Sequence, residues 1–256
     1  MKTRKTVMLL ACLLSMAACK KESYSVQYSK DAALQESMAT SNQESCPQID
    51  PSDFVKGINN PYLSFAPGTR FYYVNKIVEG NDITIEHNPV IVTSDTKLIL
   101  GVACTVVHDV VKVDGKITED TYDWYAQDKH GNVWYFGEDT KSYDNGHVST
   151  EGSWEAGVHG AKPGIIMFRN PAAHIGETYR QEYLKGVAED EATLINTNSS
   201  VKVPYGTFSN CVKTKEFSRL EPGVVEIKYY AKGVGEVLMV ATKGENERDV
   251  LINITH

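Results

Sequence analysis

Side chains that could do chemistry are densest in one stretch: Thr121-Tyr122-Asp123-Trp124-Tyr125-Ala126-Gln127-Asp128, then Lys129-His130-Gly131, then Asn132-Val133-Trp134-Tyr135-Phe136-Gly137-Glu138. Paired acids such as Asp123 and Glu226 would serve glycoside hydrolysis if the fold held them about 5–10 Å apart. The seven histidines are scattered, with no His-x-x-x-His or His-Glu-x-x-His spacing. His108, His159 and His174, with Asp109 or Glu182, would suit zinc only if the fold brought them together. The acids of Glu119-Asp120, Glu138-Asp139 and Glu189-Asp190-Glu191 lack the alternating spacing of a calcium loop and read as a solvated acidic face. There is no Gly-x-Ser-x-Gly elbow. Gly233-Val234-Gly235 precedes a strand-like run, whereas a phosphate loop needs the N-terminal amides of a helix. These patterns predict no metal, no cofactor and no catalytic set.

The dense stretch reads as a β-hairpin. A three-residue loop with Gly131 in the left-handed region gives a type I turn with a G1 bulge, pairing Asp128 with Asn132. Counting back in strict alternation, Ala126 faces Trp134, Trp124 faces Phe136 and Tyr122 faces Glu138 on one side. The other side sets Tyr125 opposite Tyr135, Gln127 opposite Val133 and Asp123 opposite Gly137. One face is large and apolar. The other carries tyrosines, a carboxylate and an amide, so Asp123, Tyr125, Gln127 and Tyr135, with Trp154, are the candidate ligand-binding residues.

Elements that could position such a face extend along residues 51–256, expected to form a single β-rich domain. Strand-like runs cover 69–78, 83–93, 97–113, 117–127, 132–138, 178–184, 191–196, 209–217, 224–230, 236–242 and 249–254, with turn chemistry at Gly80-Asn81, Asp114-Gly115, Asn145-Gly146 and Gly244-Glu245. The fold class expected is all-β: an antiparallel meander forming a barrel or a strongly curved open sheet. Residues 152–176 contain Pro163 and Pro171 and mix glycines with large apolar residues, so they read as an irregular insertion, either a functional lid over 152–168 or a plug on one end of the sheet.

The chain opens with Lys2, Arg4 and Lys5, about twelve mostly apolar residues, and then Ala17-Ala18-Cys19. A run that short does not span a bilayer, which takes roughly 20 residues. It reads as a signal peptide over 1–18, and the junction resembles the lipobox of bacterial lipoproteins, with Met16 where that family usually has Leu. The resemblance implies lipidation of Cys19; cleavage after Ala18 without lipid is the alternative. Residues 19–50 are polar and read as a flexible tether with a reach of about 30 Å. Removing Lys2, Arg4 and Lys5 and no acid moves the formal charge from −7 to −10. That surface repels nucleic acid and anionic lipid, so the expected partners are a membrane held through the lipid anchor and a small ligand, with the protein a monomer. Cys104 and Cys211 sit in strand-like runs and are the expected disulfide, the alternative being unpaired thiols; Cys46 lies in the tether.

The hairpin, together with Gly152-Ser153-Trp154-Glu155-Ala156-Gly157 and Leu220-Glu221-Pro222-Gly223-Val224 running on to Lys228-Tyr229-Tyr230-Ala231-Lys232-Gly233-Val234-Gly235, resembles a family of secreted bacterial proteins and lipoproteins of unassigned activity. The resemblance covers about residues 60–240, departs from the family at His159 and Arg219, and implies a place in the cell envelope facing the periplasm or the exterior. The expected function is a binding or carrier module holding an apolar or amphipathic small molecule on a concave sheet. A hydrolase using the carboxylates or histidines, and a structural envelope protein, are the alternatives.

Overall fold

A computed structural model describes residues 49–244 and 246–256. The expected signal peptide, Cys19, Cys46 and nearly all of the tether lie outside the described residues. A short 3-10 turn, Pro51–Asp53, leads into β1 (Phe54–Val55), β2 (Ile58–Asn60), β3 (Leu63–Phe65), β4 (Arg70–Glu79), β5 (Asp82–Ile99) and β6 (Val102–Val113). Then come β7 (Lys116–Asp128), β8 (Val133–Asp144), β9 (His147–Ser149), β10 (Trp154–Glu155), β11 (Lys162–Met167), β12 (Thr178–Arg180) and β13 (Glu182–Tyr183). The last five are β14 (Asp190–Val203), β15 (Gly206–Ser218), β16 (Val225–Ala231), β17 (Gly235–Lys243) and β18 (Glu247–Thr255).

The main sheet is antiparallel and runs β12-β14-β15-β16-β17-β18-β4-β5-β6-β7-β8-β11-β13. Its two edge strands are consecutive in the chain, separated only by Gln181. Arg180 pairs with Glu191 of β14, and Glu182 pairs with Pro163 of β11. The short segment from Thr178 to Tyr183 therefore passes from one edge to the other and brings the sheet round into a nearly closed barrel, the all-β meander expected. Closing a sheet in this way leaves few strand edges for pairing with another chain.

Two expectations about local structure need correction. Residues 97–113 are not one strand: β5 continues through 94–96, and the chain reverses at Leu100 and Gly101, both with positive φ (51° and 80°). Thr93 holds the irregular stretch in the sheet, its hydroxyl donating to the Val106 carbonyl (2.9 Å) and accepting from the Asp95 amide (3.1 Å). Because the turn lies inside an unbroken apolar run, periodicity gives no sign of it. The insertion, in turn, is partly regular: β10 and β11 both pair with β8.

Nor does the Cys104–Cys211 bridge form; both thiols are free and buried. Cys104 lies on β6 and Cys211 on β15, six strands apart in the sheet order, and they belong to different apolar clusters. A disulfide requires Cα atoms within about 7 Å. Burial pushes the Cys104 thiol up to about 12, the behaviour of an inert core thiol.

The β2–β3 hairpin stands outside the barrel sheet and lies across one of its ends. The Asn59 amide donates to Gln127 Oε1 (2.9 Å) on β7, and Asn60 Nδ2 donates to the Gly131 carbonyl (2.8 Å) in the β7–β8 turn. From the far side of the barrel, the Gly233 amide in the β16–β17 turn donates to the Pro61 carbonyl (2.7 Å).

Candidate ligand site in the barrel lumen

The β7–β8 turn forms as its sequence predicts. The Gly131 amide donates to the Asp128 carbonyl, the Asp128 amide donates to the Asn132 carbonyl, and Gly131 has φ +87°. The buried Asp128 carboxylate fixes the loop by accepting from the Asn132 amide, Asn132 Nδ2 and Trp134 Nε1, at 2.8–3.0 Å. Tyr125 opposite Tyr135, Ala126 opposite Trp134 and Gln127 opposite Val133 hold as expected.

Farther from the turn the register shifts. Trp124 pairs with Gly137 rather than Phe136, which becomes the extra residue of a β-bulge, and Asp123 then stands opposite Glu138. Gly137 has φ +130°, and a Cβ there would lie 2.2 Å from the Trp154 carbonyl oxygen, so the bulge and the docking of β10 both require glycine at this position.

Both faces of the hairpin are covered. Trp124, Ala126 and Phe136 pack in the apolar cluster to which the 152–161 stretch contributes Trp154, Ala156 and Ala161. The opposite face looks into a lumen of about 440 Å³. That volume is in the range of small-molecule sites. Period-two alternation builds its wall strand by strand: Phe71 and Tyr73, Asn88 and Val90, Val107 and Asp109, Asp123 and Tyr125, then Glu226, Lys228 and Tyr230. Leu63 and Phe65 of the end hairpin also line it, and Phe65 packs on Tyr125 at 4.9 Å between ring centres.

The lining is acidic as well as aromatic. Among the described residues, eight carboxyl groups border the lumen with one ammonium, that of Lys228. Glu119 and Glu138 are partly buried rather than part of a solvated acidic face, because neighbours along a strand point to opposite sides: Asp120 bonds His108 and Asp139 is exposed. Burial is the main force raising the acids, reaching about 7 for Asp123 and Glu236, about 8 for Glu182, about 9 for Glu138 and about 6 for Asp249. Neighbouring carboxylates push Glu138 further, Asp123 foremost. For Lys228 burial opposes the charge, but Glu216, Glu236 and Glu226 more than offset it and hold its pKa above the ordinary lysine value.

Of the residues expected to bind a ligand, Asp123, Tyr125 and Tyr135 line the lumen, with Tyr125 and Tyr135 stacked at 4.8 Å. The Tyr135 hydroxyl donates to Asp123 at 2.6 Å. Gln127 and Trp154 do not border it. Gln127 spends its amide on Asn59, tying down the end hairpin, and Trp154 packs edge-on against Tyr135 at 5.4 Å between ring centres while its Nε1 donates to Glu182 at 2.9 Å. Within the expected lid, only Ile166 reaches the lumen. Asp123 and Glu226, the candidate pair of acids in the sequence, both line this space.

Glu236, Asp249 and Lys228 line the lumen without being singled out by the sequence, and Glu182 is read there only as a possible zinc ligand. The one signal for them is polar residues at alternate positions of otherwise apolar strands, as in Glu226-x-Lys228-x-Tyr230. The histidines stay apart: His108 bonds Asp120 at 2.6 Å, His174 bonds Glu177 at 2.7 Å, and His159 occupies a turn with φ +51°. Among the described residues no three His, Cys, Asp or Glu side chains are grouped to hold a metal ion.

No family model matches the chain, and no curated protein does. Two solved structures resemble it. One is a Bacteroides fragilis protein described as exported and of YmcC-like fold, 14% identical, with TM-score 0.45 over 77% of this chain and 100% of that one. The other is a Parabacteroides distasonis protein described as a lipoprotein, 12% identical, with TM-score 0.43 over 77% of this chain and 99% of that one.

Proposed function

We propose that the protein is a cell-envelope binding module, anchored through a lipid on Cys19, whose barrel lumen holds a small amphipathic molecule. The observation that carries this reading is the 440 Å³ lumen, walled by tyrosines and phenylalanines alongside carboxyl groups. The basic, apolar and small-residue order of the N-terminus supports the envelope location. Native mass spectrometry of the protein purified from its own membranes is the test. A non-covalent adduct is expected, and Met239→Trp, which projects into the lumen, should remove it while the fold is retained. Protein recovered without any adduct would overturn the reading.

A hydrolase is the second reading, favoured by one observation: Asp123 and Glu182, both protonatable near neutral pH, border the same space. Turnover of a glycoside panel that disappears in Asp123→Asn would place it first.

A further inference from the structure

Among the described residues, the carboxyl groups of the lumen outnumber the cations that could pair with them. The Lys228 ammonium is committed to Glu216 at 3.1 Å and Glu226 at 4.0 Å. Asp109, Asp123, Glu236 and Asp249 line the same space and make no ion pair among the described residues. Buried acids without a counter-charge hold their protons, so a set of them around an open space favours an occupant whose positive charge takes the place of those protons.

Unused hydrogen-bonding groups point the same way. Asp249 Oδ1 and Asn88 Oδ1 are buried acceptors without a donor, and both residues line the lumen. Gln181, in the segment that closes the barrel, also borders it; the residue is only 6% exposed, and its side-chain amide makes no hydrogen bond among the described residues. Buried polar groups are normally satisfied, so unpartnered acceptors around one space call for a ligand with N–H donors. The rings of Phe65, Tyr73 and Tyr125 offer aromatic surface to the rest of such a molecule and a favourable field for a cation.

We propose that the lumen takes a small organic ammonium, a protonated amine with an apolar portion; this rests on the lumen-binding reading above. The amine sits among Asp123, Glu236 and Asp249, where it donates to the free acceptors, while its apolar part lies on the aromatic wall. A bare metal ion fits less well, since the space is far larger than an ion.

The test is calorimetric titration of the full chain, in detergent at pH 7 and low ionic strength, with three probes of one shape: phenethylamine, 2-phenylethanol and phenylacetate. The amine is expected to bind at least about tenfold tighter than the alcohol, with the acid weakest. Asp123→Asn combined with Glu236→Gln should cut the preference for amine over alcohol at least about fivefold, whereas Glu151→Gln on the surface should leave it unchanged. Neutralising buried acids relieves repulsion, so the double variant should keep its Tm, and lost preference then reports binding rather than unfolding. Equal binding of amine and alcohol would overturn the ammonium inference and leave the lumen reading standing. Amine binding insensitive to the lumen substitutions would assign it to the acidic surface and overturn the inference as well. If no probe binds, both readings fall.

Discussion

Asp123 and Glu138 stand directly opposite each other on β7 and β8, both on the lumen side of the ladder, with the Tyr135 hydroxyl donating to Asp123 at 2.6 Å. This juxtaposition exists only because Phe136 bulges out; in strict alternation Asp123 would face Gly137. One extra residue in the strand therefore turns a single buried acid into a facing pair. Burial raises both, and the Asp123 carboxylate further disfavours ionisation of Glu138.

Gly137→Ala should destabilise the domain by at least about 2 kcal/mol, since the added methyl meets the Trp154 carbonyl and the backbone there is unfavourable for any other residue. Urea unfolding measures this. A loss below about 0.5 kcal/mol, the range of neutral surface changes, would refute the bulge geometry.

Stability of the ligand-free domain should fall as pH rises. Asp123, Glu182 and Glu138 have folded values of about 7, 8 and 9. Unfolded carboxyl groups titrate near 4, so the folded state holds these protons more tightly. Their contribution is complete below about pH 4 and lost progressively as pH rises through 7 to 9. Thermal melts should show Tm decreasing from pH 5 to pH 9, with a shallower slope in Glu138→Gln. A Tm that rises over this interval would contradict the buried, proton-holding arrangement.

Cys19→Ala should release the protein from membranes or leave the signal uncleaved, because acyl chains contribute about 0.8 kcal/mol per buried methylene and the acidic domain has no other attraction to anionic lipid. Fractionation with intact-mass measurement decides it. Normal processing with tight membrane association in this variant would remove the lipoprotein reading.

Much of the architecture was legible because its causes are local. Gly131 and the Asp128–Asn132 spacing specify the turn, and from there the register is correct out to Tyr125 and Tyr135. Alternating β-branched and aromatic runs with glycine-rich turns specify an antiparallel meander. What alternation cannot reveal is which side of a doubly buried strand faces solvent, protein or cavity. Trp124 and Asp123 both sit on β7 with both of its faces covered, and only closure of the sheet through Gln181 makes one face a lumen. The same closure gathers acids from strands far apart in the chain, Asp109 on β6 and Asp249 on β18 among them, around one space. It also keeps Cys104 and Cys211 in separate clusters and assigns Gln127 and Trp154 to holding neighbours in place. Turns and strand periodicity are set by residues a few positions apart, which a sequence displays directly; the bulge, the closure and the charge inside depend on contacts between segments tens of residues apart, which exist only once the barrel has formed.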